Sequence, residues 1–291
     1  MSDDTRTFAG GPLIRYGGKG HIAPLIVPHF ATSATWVEPC FGGGSVFYAM
    51  PRDTFPRAAV NDIDRSIVTF FSVLRDDPDG LVRLLDATPY ARDEFAACRD
   101  KSDDPMEEAR RVWVRSRQAF SGSDTGGWKC NATDLRGWAP TQTRNKIDSL
   151  KELSRWLQGV AIDNVNASDF VDRWGQSGAF IYADPPYPHE TRDGPGDYRH
   201  EMTDADHRRL AASLRSAVDR GAKACVSSYP SSLYDELFAG WRRIEVDVAL
   251  CSAGEKKRQR RTECLWMSYS EAESFVGIET AKRSLRQPSL F

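Results

Sequence analysis

Asp184-Pro185-Pro186-Tyr187 follows directly on the apolar run Ala179-Phe180-Ile181-Tyr182-Ala183, which reads as a buried strand that stops at a carboxylate. The two prolines fix φ and withhold backbone N–H groups, so an acid and an aromatic ring are thrown together at the carboxyl edge of a sheet. A carboxylate to hold an exocyclic amine and a ring face to stack on a flat heterocycle are the groups that chemistry on a nucleobase needs. Asp and Pro are also ordinary turn formers, so a plain strand-ending turn uses the same residues and both readings stay open.

A second constellation is Glu38-Pro39-Cys40-Phe41-Gly42-Gly43-Gly44-Ser45. Its glycines let a ligand approach the backbone. A dinucleotide turn needs G-x-G-x-x-G, and the residue three beyond Gly44 is Phe47, so a pyrophosphate cofactor fits poorly. Further on, Asn61-Asp62-Ile63-Asp64 ends the next strand-like run. An acid in that place accepts hydrogen bonds from both hydroxyls of a ribose. Asp62 is assigned that role, and Asp64 that of a helix cap.

The elements that must position these groups alternate between strand and helix. Residues 36–40 and 58–61 read as strands, separated by the Gly-rich turn and an apolar helical stretch. Asp64 opens a helix through Arg75 with Ile67, Phe70, Phe71 and Leu74 inward, and Asp77-Pro78-Asp79-Gly80 ends it. Residues 81–158 are mainly helical, interrupted by a Gly-, Ser-, Thr- and Trp-containing segment, 121–143, without apolar period. Strands resume at 160–165, 179–183, 222–229, 244–250 and 263–269, with a helix at 204–220 capped by Thr203 and stopped by Gly221. The pattern is α/β, split around an inserted module.

The chain has 291 residues and a net charge of -2, which does not advertise nucleic acid, although local concentrations of charge matter more than the balance. Lys256, Lys257, Arg258, Arg260 and Arg261 form a basic loop between two strand-like runs. It can neutralise phosphates, and a solvated charge run is the alternative. Residues 104–120 read as a helix with an Asp cap, Pro105 first and Glu107 at capping-box spacing. Ala109, Val112, Trp113, Ser116 and Phe120 share one side, leaving Arg110, Arg111, Arg115 and Arg117 for the flanks and a face that can meet DNA. Arg111 and Arg115 are the contacts expected there. Residues 1–11 are short and polar and no membrane span is evident, which predicts a cytosolic product. Cys40, Cys98, Cys130, Cys225, Cys251 and Cys264 are scattered, so reduced thiols and no structural metal are expected. His189, His200 and His207 read as surface or loop residues.

Assembled, these segments resemble the DNA adenine methylase (Dam) family of S-adenosylmethionine-dependent methyltransferases along most of the chain. Arg15-Tyr16-Gly17-Gly18-Lys19 is similar to the family's amino-terminal cofactor motif, residues 38–45 to its Gly-rich loop, residues 61–64 to its ribose-binding acidic motif, and Asp184-Pro185-Pro186-Tyr187 to its catalytic tetrapeptide. The order of these motifs is similar to that of the class modifying adenine N6. Asn166-Ala167-Ser168-Asp169-Phe170 resembles the segment that reads the cofactor's adenine, Asp169 by its amino group and Phe170 by its face.

The resemblance implies a Rossmann-like class I methyltransferase sheet with helices on both faces and a mostly helical target-recognition insertion. Residues 1–80 and 159–276 would form the catalytic core, 81–158 the insertion and 277–291 a mobile tail. It implies S-adenosyl-L-methionine held by Tyr16, Lys19, Glu38, Pro39, Phe41, Gly42, Gly44, Ser45, Asp62, Ile63, Asp169, Phe170 and Asp184. The acceptor is adenine N6 in DNA, duplex by expectation. The flipped base would stack on Tyr187 while Asp184 and the Pro185 carbonyl accept the amine protons. Cys40 departs from the family's usual Phe, which makes Phe41 the expected apolar contact, and residues 121–143 lack the family's hairpin, so no base-reading residue carries over. Cytosine N4 or RNA base methylation, a silent binding relative and a nicotinamide oxidoreductase are the alternatives. Gln287-Pro288-Ser289-Leu290-Phe291 resembles the peptide with which bacterial replication proteins engage the sliding clamp, against an ordinary tail end.

Overall fold

A computed structural model of the chain describes residues 10–51, 54–122, 126–130, 139–191, 199–249 and 260–275. Strands β1 (Thr35–Glu38), β2 (Arg57–Asn61), β3 (Ala161–Asp163), β4 (Ala179–Ala183), β5 (Lys223–Ser228), β6 (Arg242–Ala249) and β7 (Arg260–Met267) form one seven-stranded sheet. Their order is β3-β2-β1-β4-β5-β7-β6. The first five run parallel, and β7 lies antiparallel between β5 and β6. From β1 the order proceeds to β2 and β3 on one side and to β4 and β5 on the other. That reversal opens a crevice at the carboxyl ends of β1 and β4, where open α/β sheets bind ligands. All five residues of β4 are buried, because helices cover both faces of a central parallel strand.

Alternation along the strands divides two cores. Trp36, Phe180 and Tyr182 face one side with Phe70, Phe71 and Trp113. Val37, Ile181 and Ala183 face the other with Phe170, Leu214 and Trp266. Helix α1 (Ala23–Ile26) precedes the sheet. Helix α2 (Arg65–Asp76) starts where the Asp64 side chain accepts from Ser66 N, and it buries the predicted Ile67, Phe70, Phe71 and Leu74. Asp77 ends α2 and also caps α3 (Pro78–Asp86) by accepting from Gly80 N, so the Asp-Pro-Asp-Gly cluster joins two helices instead of closing one. Where a helix was expected between the Gly-rich turn and β2, the chain forms the 3-10 turn Phe47–Ala49, after which Met50 is extended and Pro51 cannot continue a helix.

Between α2 and β3 the chain forms α3, α4 (Arg92–Ala97), α5 (Pro105–Gln118), α6 (Ala139–Asp148) and α7 (Leu150–Trp156). Leu81, Leu85, Val112, Trp113, Leu150 and Leu153 join the same core as the sheet residue Trp36, and Trp113 stacks on Phe70 at 6.2 Å. On the opposite face lie α8 (Ala167–Trp174), α9 (Asp204–Asp219) and α10 (Ser232–Leu237). Thr203 and Asp206 close a capping box on α9, and Gly221 follows with φ +95°.

The arginines of α5 correct one expectation. Arg115 is buried, with Glu108 at 2.8 Å and the Cys98 carbonyl at 2.7 Å. Arg111 donates to Glu107 at 2.7 Å and to the Asp100 carbonyl, and Arg110 pairs with Glu107 and Glu94. Carboxylates on the same helix and on α4 neutralise this face, so Arg111 and Arg115 do not present free charge to DNA. Phe120 lies beyond the helix and is exposed. His207, expected at the surface, is buried on α9 with Nδ1 2.9 Å from Tyr234 Oη.

Lys256, Lys257, Arg258, the Arg260 side chain, Cys251 and the peptide 287–291 lie outside the described residues. Arg261 donates to Tyr229 Oη at 3.1 Å and sits over its ring. Cys40, Cys98, Cys130, Cys225 and Cys264 are free thiols. Among the described residues no helix is long and apolar enough to cross a membrane.

Candidate active site

A cavity of about 510 Å³ occupies the crevice. The amino-terminal segment contributes Tyr16 and Lys19, and the loop after β1 contributes Glu38, Pro39, Phe41, Gly42 and Ser45. Asp62 and Ile63 enter from the end of β2, and Asp184, Pro185 and Pro186 from the end of β4. Residues separated by most of the chain therefore meet because three parallel strands end side by side.

Asp184 is the most constrained of these groups. Lys19 Nζ lies 2.7 Å from each of its carboxylate oxygens, and Ser227 Oγ on β5 donates to Oδ1 at 2.9 Å. Lys19 also donates to the Gly17 carbonyl at 3.0 Å and lies 3.8 Å from Glu263. Only 5% of Lys19 is exposed, so two carboxylates supply the counter-charge that its burial demands. Tyr187 donates its hydroxyl to Glu263 and places its ring 4.7 Å beneath the Lys19 ammonium. Burial pushes the Glu263 carboxyl up, against the pull of Lys19.

The other end is built around Asp62. Its Oδ2 accepts from Gly42 N at 2.7 Å and its Oδ1 from Asp64 N at 2.9 Å, which ties the Gly-rich loop to the end of β2. Burial raises the Asp62 pKa even though these two bonds favour the carboxylate. Asn61 staples the neighbouring loops, donating to the Pro39 and Val165 carbonyls and accepting from Val165 N. Glu38 accepts from Trp36 Nε1 at 3.0 Å, and burial, with Asp184 and Asp62 nearby, lifts its pKa well above the usual carboxylate value. Gly42 has φ +52°, and a Cβ there would meet nothing within 4 Å, so the backbone is bare toward the cavity. Ile63, half exposed, offers the cavity an apolar surface.

Four expected residues are placed elsewhere. Gly44 packs under the rings of Phe41 and Tyr48, each 3.0 Å from where its Cβ would be. Phe170 is fully buried in the core under α8, because the phase of that helix turns Phe170 and Val171 toward the sheet. Asp169 points outward and pairs with Arg209 at 2.5 Å. Asn166 and Ala167 line the cavity in their stead. Tyr187 is 3% exposed and packs edge-on against Tyr229, so it offers no free face for a base to stack on. Sequence reasoning missed Ser227 and Glu263. The signal for Glu263 was a lone acid heading the apolar run Cys264-Leu265-Trp266-Met267. It also missed Arg199 and His200, which line the cavity near Asp64 at 3.8 and 4.0 Å.

Residues 16–249 match the model of the D12 class N6 adenine-specific DNA methyltransferase family. The Type II methyltransferase M.MjaIII of Methanocaldococcus jannaschii is 26% identical over 260 residues, covering 80% of this chain and 88% of the relative. The Type II methyltransferase M1.LlaDCHI of Lactococcus lactis subsp. cremoris is 24% identical over 272 residues, covering 87% and 93%. Among solved structures, precorrin 8w decarboxylase of Methanobacterium thermoautotrophicum overlays on 93% of this chain and all of its own at 9% identity and a TM-score of 0.42, a likeness too distant to speak to chemistry.

Proposed function

Because the chain belongs to the D12 class N6 adenine-specific DNA methyltransferase family, we propose that the cavity between β1 and β4 is its methyl-transfer site. The enzyme transfers a methyl group from S-adenosylmethionine to adenine N6 in DNA. The cavity's residues fit that donor. Asp62 retains lone pairs for a ribose diol beyond those used by Gly42 and Asp64, Ile63 gives a heterocycle an apolar platform, and Gly42 leaves room against the backbone. Tyr16, Phe41 and Ser45 complete the wall, with Asn166 and Ala167 replacing the expected Asp169 and Phe170. Bound there, S-adenosylmethionine supplies an electrophilic methyl group.

Everything else falls to the protein. Adenine N6 is a weak nucleophile whose lone pair is delocalised into the ring, and in a duplex the base must first be flipped out. Asp184 Oδ1 is filled by Lys19 and Ser227, whereas Oδ2 accepts only from Lys19 among the described residues. One acceptor site on Oδ2 is therefore open to an N6 proton, and the Pro185 carbonyl takes the second. These two acceptors localise the nitrogen lone pair and stabilise the positive charge that grows on N6 during attack. Lys19 holds the Asp184 rotamer, and Tyr187 with Glu263 holds Lys19. Pro186, open to the cavity, takes the apolar contact with the base that was expected of Tyr187.

The observation that carries this reading is the Lys19–Asp184 pair at the edge of a cavity whose other end presents Asp62. The test is incubation with S-adenosylmethionine and unmethylated duplex DNA, digestion to nucleosides and mass spectrometry. N6-methyldeoxyadenosine is expected from wild type and absent with Asp184→Ala, whose folding is checked by circular dichroism. N4-methyldeoxycytidine, or modification of RNA alone, would overturn it.

In keeping with the names of its relatives, we assign the chain to the modifying half of a restriction-modification pair, acting in the cytoplasm on short duplex sites. Residues 81–158 are assigned to target recognition. Clamp binding through residues 287–291 rests on the tail sequence alone, and its deletion should abolish binding to a purified clamp.

A further inference from the structure

We propose that a second cavity, between the amino-terminal segment and α6, is a phosphate subsite that holds the DNA backbone beside the methyl-transfer site. Its volume is about 590 Å³, and Arg15, Gly18 and Ser45 line both cavities, so the two share a wall. The described lining contributes Arg15, His21, Arg117 and Lys146 and contains no Asp or Glu. Gln142 and Asn145 add amide donors from α6.

The contrast within α5 is the strongest sign. Arg110, Arg111 and Arg115 are each matched by a carboxylate. Arg117 instead donates to the neutral carbonyls of Pro12 and Gly11. Lys146 reaches only the Gly10 carbonyl, at 3.3 Å, among the described residues. Burial and the neighbouring Arg117 bring the Lys146 pKa down to about 8, and burial brings Arg117 down to about 10. Two neighbouring cations that no carboxylate among the described residues answers are an unfavourable arrangement that an incoming anion relieves. A phosphodiester has that charge and accepts from Lys, Arg and amide donors alike. Arg15 pairs with Asp64 at 3.7 Å, and burial and Lys19 keep His21 easily deprotonated, so Lys146 and Arg117 carry the subsite.

The inference rests on the methyltransferase reading, and the experiment separates the two. Affinity for a fluorescent duplex is measured by anisotropy across salt concentration, with S-adenosylhomocysteine present, for wild type, Lys146→Ala and Lys146→Arg. Loss of one phosphate contact should flatten the slope of log K against log salt by about 0.9 in Lys146→Ala. It should weaken matched and unrelated duplexes equally, with S-adenosylhomocysteine affinity unchanged. Lys146→Arg should restore the slope, and should also remove the loss of affinity that wild type shows as pH rises past about 8, the pKa of Lys146. An unchanged slope in Lys146→Ala overturns the proposal. So does titration with inorganic phosphate that is lost in the variant while its DNA slope stays wild type, since the site would then serve free phosphate. Wild type that shows the slope but makes no methylated adenine would instead remove the methyltransferase reading and leave the subsite standing.

Discussion

Lys19 and Asp184 stand 165 positions apart and meet at 2.7 Å, the ammonium bridging both oxygens of the carboxylate. The contact joins the amino-terminal segment to the turn after β4, and the same ammonium lies over the ring of Tyr187. One buried cation thus sets the position of the acceptor, the tyrosine and Glu263 together.

Lys19→Met should remove that common partner and leave Asp184 and Glu263 without their counter-charge. Breaking a buried pair from one side costs about 3 kcal/mol, which urea unfolding would register. Methyl transfer should fall by about 100-fold, the scale of a lost preorganised electrostatic contact. Lys19→Arg should not rescue the rate, because a planar guanidinium fork cannot reproduce the compact ammonium that meets both Asp184 oxygens and the Gly17 carbonyl at once.

Gly42→Ala should act at the opposite end of the cavity. The left-handed φ of +52° makes a side chain there cost about 1 kcal/mol of stability. The added methyl enters open space beside the backbone, and S-adenosylhomocysteine affinity should drop about tenfold, equivalent to about 1.4 kcal/mol. Calorimetric titration measures it. Gly43→Ala should behave differently, since its Cβ would lie 2.6 Å from the Leu13 carbonyl oxygen and the damage should appear first in the melting temperature.

Glu38 makes stability fall with pH. Burial raises its pKa in the folded state well above the ordinary value of 4.5. The folded protein therefore keeps a proton that the unfolded chain gives up. Its contribution is complete below pH 4.5 and is lost progressively as pH climbs toward the raised folded value. Glu38→Gln should melt with a flatter pH dependence than wild type above pH 4.5. Parallel curves for the two proteins would contradict the assignment.

Tyr187→Phe keeps the ring beneath Lys19 and deletes the hydroxyl that donates to Glu263. The expected cost is about 1–3 kcal/mol, that of leaving a buried acceptor without its donor. S-adenosylhomocysteine binding should be retained. A variant with wild-type stability would show that the Tyr187–Glu263 bond contributes nothing.

The strand plan was legible because β4, covered on both faces, is a continuous apolar run, and because Asp64, Asp104 and Thr203 announce their helices as caps. The tetrapeptide after β4 and the acidic turn after β2 were legible as ends of those strands. Which way a side chain points at such an end was not. Phe170 goes to the core or to the cavity according to the phase of α8, and Tyr187 is turned inward by Glu263, 76 positions away. The role of Arg115 likewise depends on Glu108 on its own helix and on the Cys98 carbonyl from α4's end, a meeting that charge patterning along α5 cannot reveal.

The cluster that holds Asp184 also sets a timetable. Lys19 is synthesised early and its second carboxylate, Glu263, late. At roughly 5–20 residues per second, ribosomes need on the order of ten seconds or more to make the intervening chain. Until β7 emerges and inserts between β5 and β6, Tyr187 has no acceptor and Lys19 lacks part of its counter-charge. The cluster around the Lys19–Asp184 pair is therefore completed only after β7 has been translated.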